Sequence, residues 1–370
     1  MVQDTQVSGD GSAEAPDFDV FLHGTVFLDI IFTGLASPPT PGMEIWASGM
    51  GSSPGGIANL ATAASRLGLR TSLAAGFGDD VYGEFCWRTL ADQEGIDLSH
   101  SRSFEHWHSP VTVSIATGGD RSMVTHGHAP PVSASDMIGR PPGSRVVMLD
   151  LETDPETAGS TPAWVEQARE AGACVFADVG WDDTGVWAQA TLEQLETCDA
   201  FLPNAAEAMA YTRTETPRDA LYALADRVPL AVVTNGVHGA MAIDSSTGEE
   251  AEVPALRASV IDPTGAGDVF SSGLVLGTLE GWPLADRLAF AAVCSALAVE
   301  QFGGSLAAPG LGDVLDWWQA VKGDPQPGSY ARSLRRRYAF LDGLNPSAPV
   351  RHRRRAAATI ARLSDLGPTP

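Results

Sequence analysis

From residue 145 onward the chain alternates short apolar runs with amphipathic ones. Arg145–Leu151, Cys174–Val179, Ala200–Leu202 and Pro229–Thr234 predict buried strands. Pro162–Ala171, Ala188–Leu195, Ala205–Tyr211 and Asp219–Asp226 predict the helices between them. Such alternation marks a doubly wound, mostly parallel sheet, in which functional groups collect at the carboxyl ends of strands. Those ends carry Glu152, Asp178, Asn204 and Thr234. Ala240–Asp244 and Glu250–Pro254 predict two more strands, and Val260-Ile261 closes another strand-like run. The small-residue run from Val269 to Leu279 and the run Leu284–Val299 predict two helices.

The first half reads differently. Phe18–His23 predicts an apolar strand, and Val26–Phe32, after Gly24, is a second apolar run with Asp29 inside it. An aspartate in so apolar a run is either paired in the core or faces a pocket. Leu35–Ser48 is Pro- and Gly-rich and predicts a short strand near Met43–Ser48. Gly51–Asn59 then leads into an Ala-rich helix over Ile57–Leu67. Val111–Thr117 and Ser122–Thr125, around Gly118-Gly119-Asp120, read as a hairpin. Two His-x-His pairs, His106/His108 and His126/His128, flank it. Alternate strand residues share a face, so the pairs admit a metal reading, although neither pair contains a carboxylate or a thiol.

Composition narrows the class. With 370 residues, 44% apolar and 19% charged, the chain is globular with ample core. No run approaches the roughly 20 apolar residues of a membrane span. Met1–Asp17 is polar and acidic, lacks the basic and apolar regions of a secretory signal, and reads as a disordered leader. The scattered Cys86, Cys174, Cys198 and Cys294 read as reduced core thiols in a cytoplasmic protein. Residues 321–370 carry a net charge of +7, and the rest of the chain carries −30. So acidic a body argues against nucleic-acid or anionic-membrane partners. The Arg- and Pro-rich stretch 321–370 reads as a solvated extension, with folding back on the acidic body or supplying Arg near a subunit interface as the alternatives.

The most informative stretch is Val260–Gly273, VIDPTGAGDVFSSG. Gly265-Ala266-Gly267 at a strand-to-helix turn leaves backbone N–H groups unshielded, and the positive end of the helix dipole adds to them. That combination makes an anion site with Asp268 beside it, suited to act as general base for a hydroxyl attacking a phosphoryl group. A helix cap and a plain turn would explain a bare GAGD equally well.

The longer string Asp262-x-Thr264-Gly-Ala-Gly-Asp268 resembles the pattern of the ribokinase-like (PfkB-type) carbohydrate kinases. So does Gly55-Gly56-x-x-Asn59 with its Ala-rich helix, Leu67-Gly68, Gly76-Phe77-Gly78-Asp79 and Tyr82-Gly83. The likeness covers about residues 18–320. It implies a three-layer α/β/α sandwich with a mostly parallel central sheet. A small β-sheet lid, from about 33–50 and 107–128, would pair between subunits in a homodimer. It implies ATP and Mg²⁺ as cofactors. In that reading Asp268 is the base, and the N–H groups of Gly265, Ala266 and Gly267 form the anion hole. Asp29, Gly55, Gly56, Asn59 and Glu152 hold a sugar. Asn204 and Glu207, in Asn-x-x-Glu, organise Mg²⁺ through water, although a capping box explains that pair as well. Thr234, Gly236 and Gly239 wrap the nucleotide phosphates. Asp262 and Thr264 belong to a monovalent-cation site in the family, so K⁺ activation stays open.

Two departures bear on the substrate. Relatives acting on phosphorylated sugars often carry Lys after the Gly-Gly, whereas Ile57 stands here and points to an unphosphorylated sugar or sugar acid. Trp181-Asp182 replaces an arginine that often follows the aspartate matched by Asp178. A nucleoside kinase would use a stacking aromatic, for which Trp107 and Phe104 are the candidates, and a non-catalytic sugar-binding regulator would not need the whole set. A Rossmann oxidoreductase is disfavoured, because GTVFLD after the first strand lacks the G-x-G-x-x-G turn.

Overall fold

The computed structural model describes residues 15–344, apart from 118–119, 154–158, 160, 183 and 302. Most of the expected leader, the hairpin's Gly118-Gly119 and the stretch 345–370 lie outside the described residues. The strands are β1 Phe18–His23, β2 Val26–Thr33, β3 Gly49–Gly56, β4 Thr71–Ala74, β5 Gly76–Gly78, β6 Arg102–Phe104, β7 Val111–Thr117 and β8 Asp120–His126. They continue with β9 Ser144–Asp150, β10 Cys174–Asp178, β11 Ala200–Phe201, β12 Leu230–Thr234, β13 Ala240–Asp244 and β14 Glu249–Val253. The α-helices are α1 Ile57–Arg66, α2 Val81–Arg88, α3 Ala134–Ile138, α4 Ala163–Glu170, α5 Gln189–Glu193 and α6 Ala205–Thr212. The rest are α7 Pro217–Ala225, α8 Ala266–Leu279, α9 Leu284–Val299, α10 Leu311–Gly323 and α11 Ser329–Arg337.

Eight strands form the central sheet in the order β14-β13-β12-β11-β10-β9-β1-β4. Its strands are parallel from β12 to β4, and the β13–β14 hairpin adds an antiparallel edge. The period-2 direction of strand side chains divides the core into two layers. Val20, Leu22, Val146, Met148, Phe176 and Val232 join α1, α8 and α9 on one face. Phe21, Val147, Leu149, Val175, Ala231 and Val233 join α4, α6 and α7 on the other. This is the expected α/β/α sandwich. No helix of the described residues is long and apolar enough to cross a membrane.

A separate four-stranded sheet has the order β3-β2-β7-β8. Two expectations change here. The predicted strand at 43–48 is absent, and the small sheet draws on 26–33 and 49–56 rather than 33–50. The Gly- and Pro-rich stretch Gly49–Gly56 is a poor strand former in isolation. It is ordered by an unbroken antiparallel ladder to β2, from Val26↔Gly56 to Thr33↔Gly49, so pairing overrides propensity. Val260 and Ile261 form no strand: both are exposed, and the N–H groups of Ile261 and Asp262 reach the carbonyl of Val299.

The expected division at 320/321 falls inside α10. Beyond it, α11 and the turn that follows insert Leu334, Tyr338 and Leu341 into the core. Arg335 donates to the carbonyls of Val321 and Lys322 in the last turn of α10 and of Asp324 just past it, where a cation opposes the negative end of the helix dipole. Residues 321–344 are therefore part of the body. Of the cysteines, Cys86, Cys198 and Cys294 are buried as expected, whereas Cys174 is exposed at the start of β10.

Candidate active site

Helices α1 and α8 begin in the same way, on a glycine with positive φ and no side-chain cap: Gly56 at φ 62° and Gly265 at φ 75°. Asp268 is the third residue of α8, so the cap reading fails, since Gly265 holds the cap position. Asn59 is the third residue of α1, and its Nδ2 donates to Asp268 Oδ2 at 3.1 Å across 209 residues of sequence. The two expected site residues thus fix each other. Of the expected anion-hole groups, the Ala266 N–H already donates to the Pro263 carbonyl at 3.2 Å. The tight turn through Pro263 thus already engages this donor. Gly267 stands in the first turn of α8, where a side chain added to it would meet nothing within 4 Å.

Asp29, from the middle of β2, is opposite Ser53 in β3. It is 7% exposed and Asn59 is 6% exposed. A Cβ on Gly55 would fall 1.9 Å from Asp29 Oδ2, so only glycine admits the carboxylate at that point. Gly304, at φ 52°, closes the group: a Cβ there would lie 3.1 Å from Ser53 Oγ, 3.6 Å from Asn59 Oδ1 and 3.8 Å from Asp29 Oδ2. Ser53 Oγ and Asn59 Oδ1 are buried without a hydrogen-bond partner. Unsatisfied buried polar atoms are costly in a folded chain, and hydroxyl groups of a bound polyol would satisfy them. Sequence reasoning missed Ser53 and Gly304. The first stands in the stretch Gly51–Asn59, but its facing Asp29 emerges only from the β2–β3 register.

Glu152 is drawn to a cleft of about 430 Å³ lined with His23, Gly24, Thr25, Asp150 and Trp164, beside the carboxyl ends of β1 and β9. Gln194 clamps its backbone on both sides, accepting from the Glu152 N–H and donating to its carbonyl. Burial pushes His23 down to about 4, which keeps the ring neutral. The strand ends also gather an acidic cluster that the sequence only partly disclosed. Asp150, the last residue of β9, was not among the expected site residues. It touches solvent, yet the protein closing round its carboxyl and the charge of Glu152 push it up to about 6. Burial, and then the charge of Asp268, hold Asp178 well above the usual carboxylate range. Glu207 is raised chiefly by burial.

Asn204 and Glu207 form a complete capping box on α6. Asn204 Oδ1 accepts from the N–H groups of Ala206 and Glu207, and Glu207 Oε2 accepts from the Asn204 N–H. Thr234 bridges to Asn204, which joins the two motifs at adjacent strand ends. The two glycines of Thr234-x-Gly236-x-x-Gly239 differ. Gly239, at φ 97°, would place a Cβ 1.9 Å from the Val253 carbonyl and is required by the fold, whereas Gly236 faces open space. At Asp262, Oδ1 accepts from the N–H and hydroxyl of Thr264 at 2.9 and 2.6 Å. Its Oδ2 is buried without a partner.

The pfkB carbohydrate kinase family model matches residues 41–310. The chain belongs to this family. As a pfkB kinase it is a phosphotransferase with an alcohol group as acceptor, acting on a sugar or a nucleoside. It is 27% identical over 281 residues to a fructokinase of Vibrio alginolyticus, covering 71% of this chain and 90% of that one. A nucleoside kinase of Methanothermobacter thermautotrophicus is 26% identical over 288 residues, with coverage of 74% and 86%. Arabidopsis thaliana ribokinase complexed with ribose and ATP superposes with a TM-score of 0.66 at 24% identity, covering 82% of this chain and 98% of that one. A putative ribokinase II from E. coli in complex with ATP and Mg²⁺ gives 0.66 at 20% identity, with coverage of 82% and 99%.

Proposed function

We propose that this pfkB kinase transfers the γ-phosphoryl group of ATP to a hydroxyl of a small unphosphorylated sugar or sugar acid, with Asp268 as general base. The observation that carries the reading is the Asn59–Asp268 hydrogen bond beside the unpartnered Ser53 Oγ and Asn59 Oδ1. Asp29, Ser53 and Asn59 bind the acceptor's hydroxyls under Gly304, with Gly55 and Gly56 shaping that wall and Glu152 reaching from the neighbouring cleft. The Asn59 amide fixes the direction of the Asp268 carboxylate, which takes the proton of the attacking hydroxyl. As that proton moves to Asp268, charge builds on the transferring phosphoryl, and the Gly265 and Gly267 N–H groups with the α8 dipole offset it.

Thr234, Gly236 and Gly239 cradle the nucleotide. The donor set at the strand ends suits Mg²⁺: hard carboxylate oxygens of Asp150, Asp178 and Glu207, held above their usual range by burial and mutual repulsion, which a divalent cation would relieve. The cation would neutralise phosphate charge, with Asn204 and Glu207 holding its waters. Asp262 Oδ2, buried and unpartnered beside Thr264, suits a K⁺ ion in the same way.

The nucleoside reading is less well supported. Trp107 is already committed, packing edge-on against Phe104 and donating from Nε1 to the Ala129 carbonyl. The small sheet would serve as the lid and as a homodimer contact, since its edge strand β8 exposes Met123 and Val124. The test is Mg-ATP-dependent ADP release against free sugars, sugar acids, nucleosides and sugar phosphates, with Asp268→Asn alongside. A signal with free sugars that the variant loses supports the proposal. A signal with nucleosides alone transfers the chemistry to the second reading, and binding without turnover makes the chain a sensor.

A further inference from the structure

Of the two His-x-His pairs, three members converge. His108, just before β7, meets His126 at the end of β8 and His128 beyond it, and one ring nitrogen from each lies within 4.8 Å of the others. The rings stack or meet edge-on, with centroids 5.1 to 5.2 Å apart. His106, with its backbone at φ 61°, is not part of the group. All three side chains are exposed.

The two segments that carry the rings are tied together by other contacts. A Cβ on Gly127 would fall 2.8 Å from Pro110 Cβ, so glycine lets the His126–His128 turn lie against the chain beside His108. On one flank Trp107 Nε1 donates to the Ala129 carbonyl at 3.1 Å. On the other, Asp80 accepts from the backbone and the hydroxyl of Ser109 at 2.7 and 3.0 Å. His108 Nδ1 is 3.2 Å from the Ser109 carbonyl. With Nδ1 donating there, Nε2 faces outward as an acceptor, the arrangement in which a carbonyl fixes a ligand tautomer.

We propose that His108, His126 and His128 bind one Zn²⁺-class ion, with a fourth position open to water. Three imidazoles without carboxylate select Zn²⁺, Cu²⁺ or Ni²⁺ over Mg²⁺, so the site is chemically separate from the cation of phosphoryl transfer. At Zn–N distances of about 2.1 Å, tetrahedral ligand atoms stand about 3.4 Å apart. Small torsional changes of three solvent-facing side chains close the difference from 4.8 Å. The ion would clamp the chain entering β7 to the chain leaving β8, at the base of the hairpin that forms one side of the small sheet. This inference is independent of which acceptor the enzyme phosphorylates.

The test uses the full chain, tag-free and stripped with a chelator, titrated with Zn²⁺ in competition with a chromophoric chelator. The expected result is one equivalent bound by the wild type, an affinity at least tenfold lower in His108→Ala, His126→Ala and His128→Ala, and no change in His106→Ala. Zn²⁺ should raise the melting temperature of the wild type and of His106→Ala only. Co²⁺ should give the intense visible absorption of a tetrahedral site, retained in His126→Cys. Wild-type affinity in the three alanine variants, or no stoichiometric uptake by the wild type, would overturn the assignment. Circular dichroism of each variant separates loss of a ligand from loss of fold.

Discussion

Helices α1 and α8 begin alike and do opposite things with their glycines. Both start on a positive-φ glycine without a side-chain cap, and their third residues, Asn59 and Asp268, bond to each other. Around Gly55 and Gly56 the space is already occupied by the protein, since added Cβ atoms would strike Asp29 Oδ2 at 1.9 Å and the Thr25 carbonyl at 2.4 Å. Around Gly267 there is nothing within 4 Å. The first turn is glycine because the fold has no room. The second requires glycine at Gly265, where φ is 75° and an added Cβ would lie 3.2 Å from Asn59 Cγ, yet keeps Gly267 where the fold leaves room, which directs attention to something that approaches from outside. Glycines at two similar helix starts can therefore stand there for different reasons, and only the surroundings tell them apart.

The largest effect that sharpens the contrast is expected at the open turn. Asp268→Asn should lower kcat by about 10³-fold, within the range for a lost general base, while the melting temperature stays within a degree or so of the wild type. Equal losses of stability and turnover would remove the distinction. At the crowded turn, Gly56→Ala should cost about 3 kcal/mol of unfolding free energy by chemical denaturation, from overpacking against a backbone carbonyl and from a side chain at positive φ. Gly267→Ala should reverse the sign: up to about 1 kcal/mol of added stability from helix propensity, with turnover reduced about tenfold. An alanine variant there that kept full activity would mean that nothing approaches this N–H closely.

The smallest effect concerns Asp150. Its folded value, pushed up to about 6, stands above the ordinary 3.8, so the native state holds this proton more tightly than the unfolded chain. That contribution is complete below the ordinary value and is lost as pH rises through about 6. Asp150→Asn, which cannot ionise, should melt a few degrees above the wild type at pH 8 in metal-free buffer, with about a third of that gain left at pH 4.5. A gain that is equal at both pH values would place its cause outside this titration.

Most of the central sheet was legible because its strands are buried on both faces and its helices carry one apolar stripe. The motif residues were legible because backbone geometry restricts what can stand there. What escaped depended on partners far away in the chain. Gly49–Gly56 becomes a strand only beside β2. Ser53 gains meaning only opposite Asp29. Asp150 matters only once the folded protein closes round its carboxyl. The capping box at Asn204 and Glu207 was visible as one of two readings, and local geometry satisfies it whether or not a cation follows. In the basic stretch, charge concealed a helical stripe: Tyr330, Leu334 and Tyr338 are four apart on a face that meets Arg257 and the core.

That stripe has a consequence for how the enzyme is made. Tyr338 is fully buried and packs edge-on against Trp317, and Phe340 meets Trp282 just before α9. During synthesis, α9 and α10 emerge from the ribosome before the segment that covers them. The apolar face they present to each other and to solvent stays open until residues 329–344 clear the exit tunnel. The nascent chain therefore carries every strand of its central sheet for some time before it can cover that apolar face, and this interval is when holding chaperones would find it.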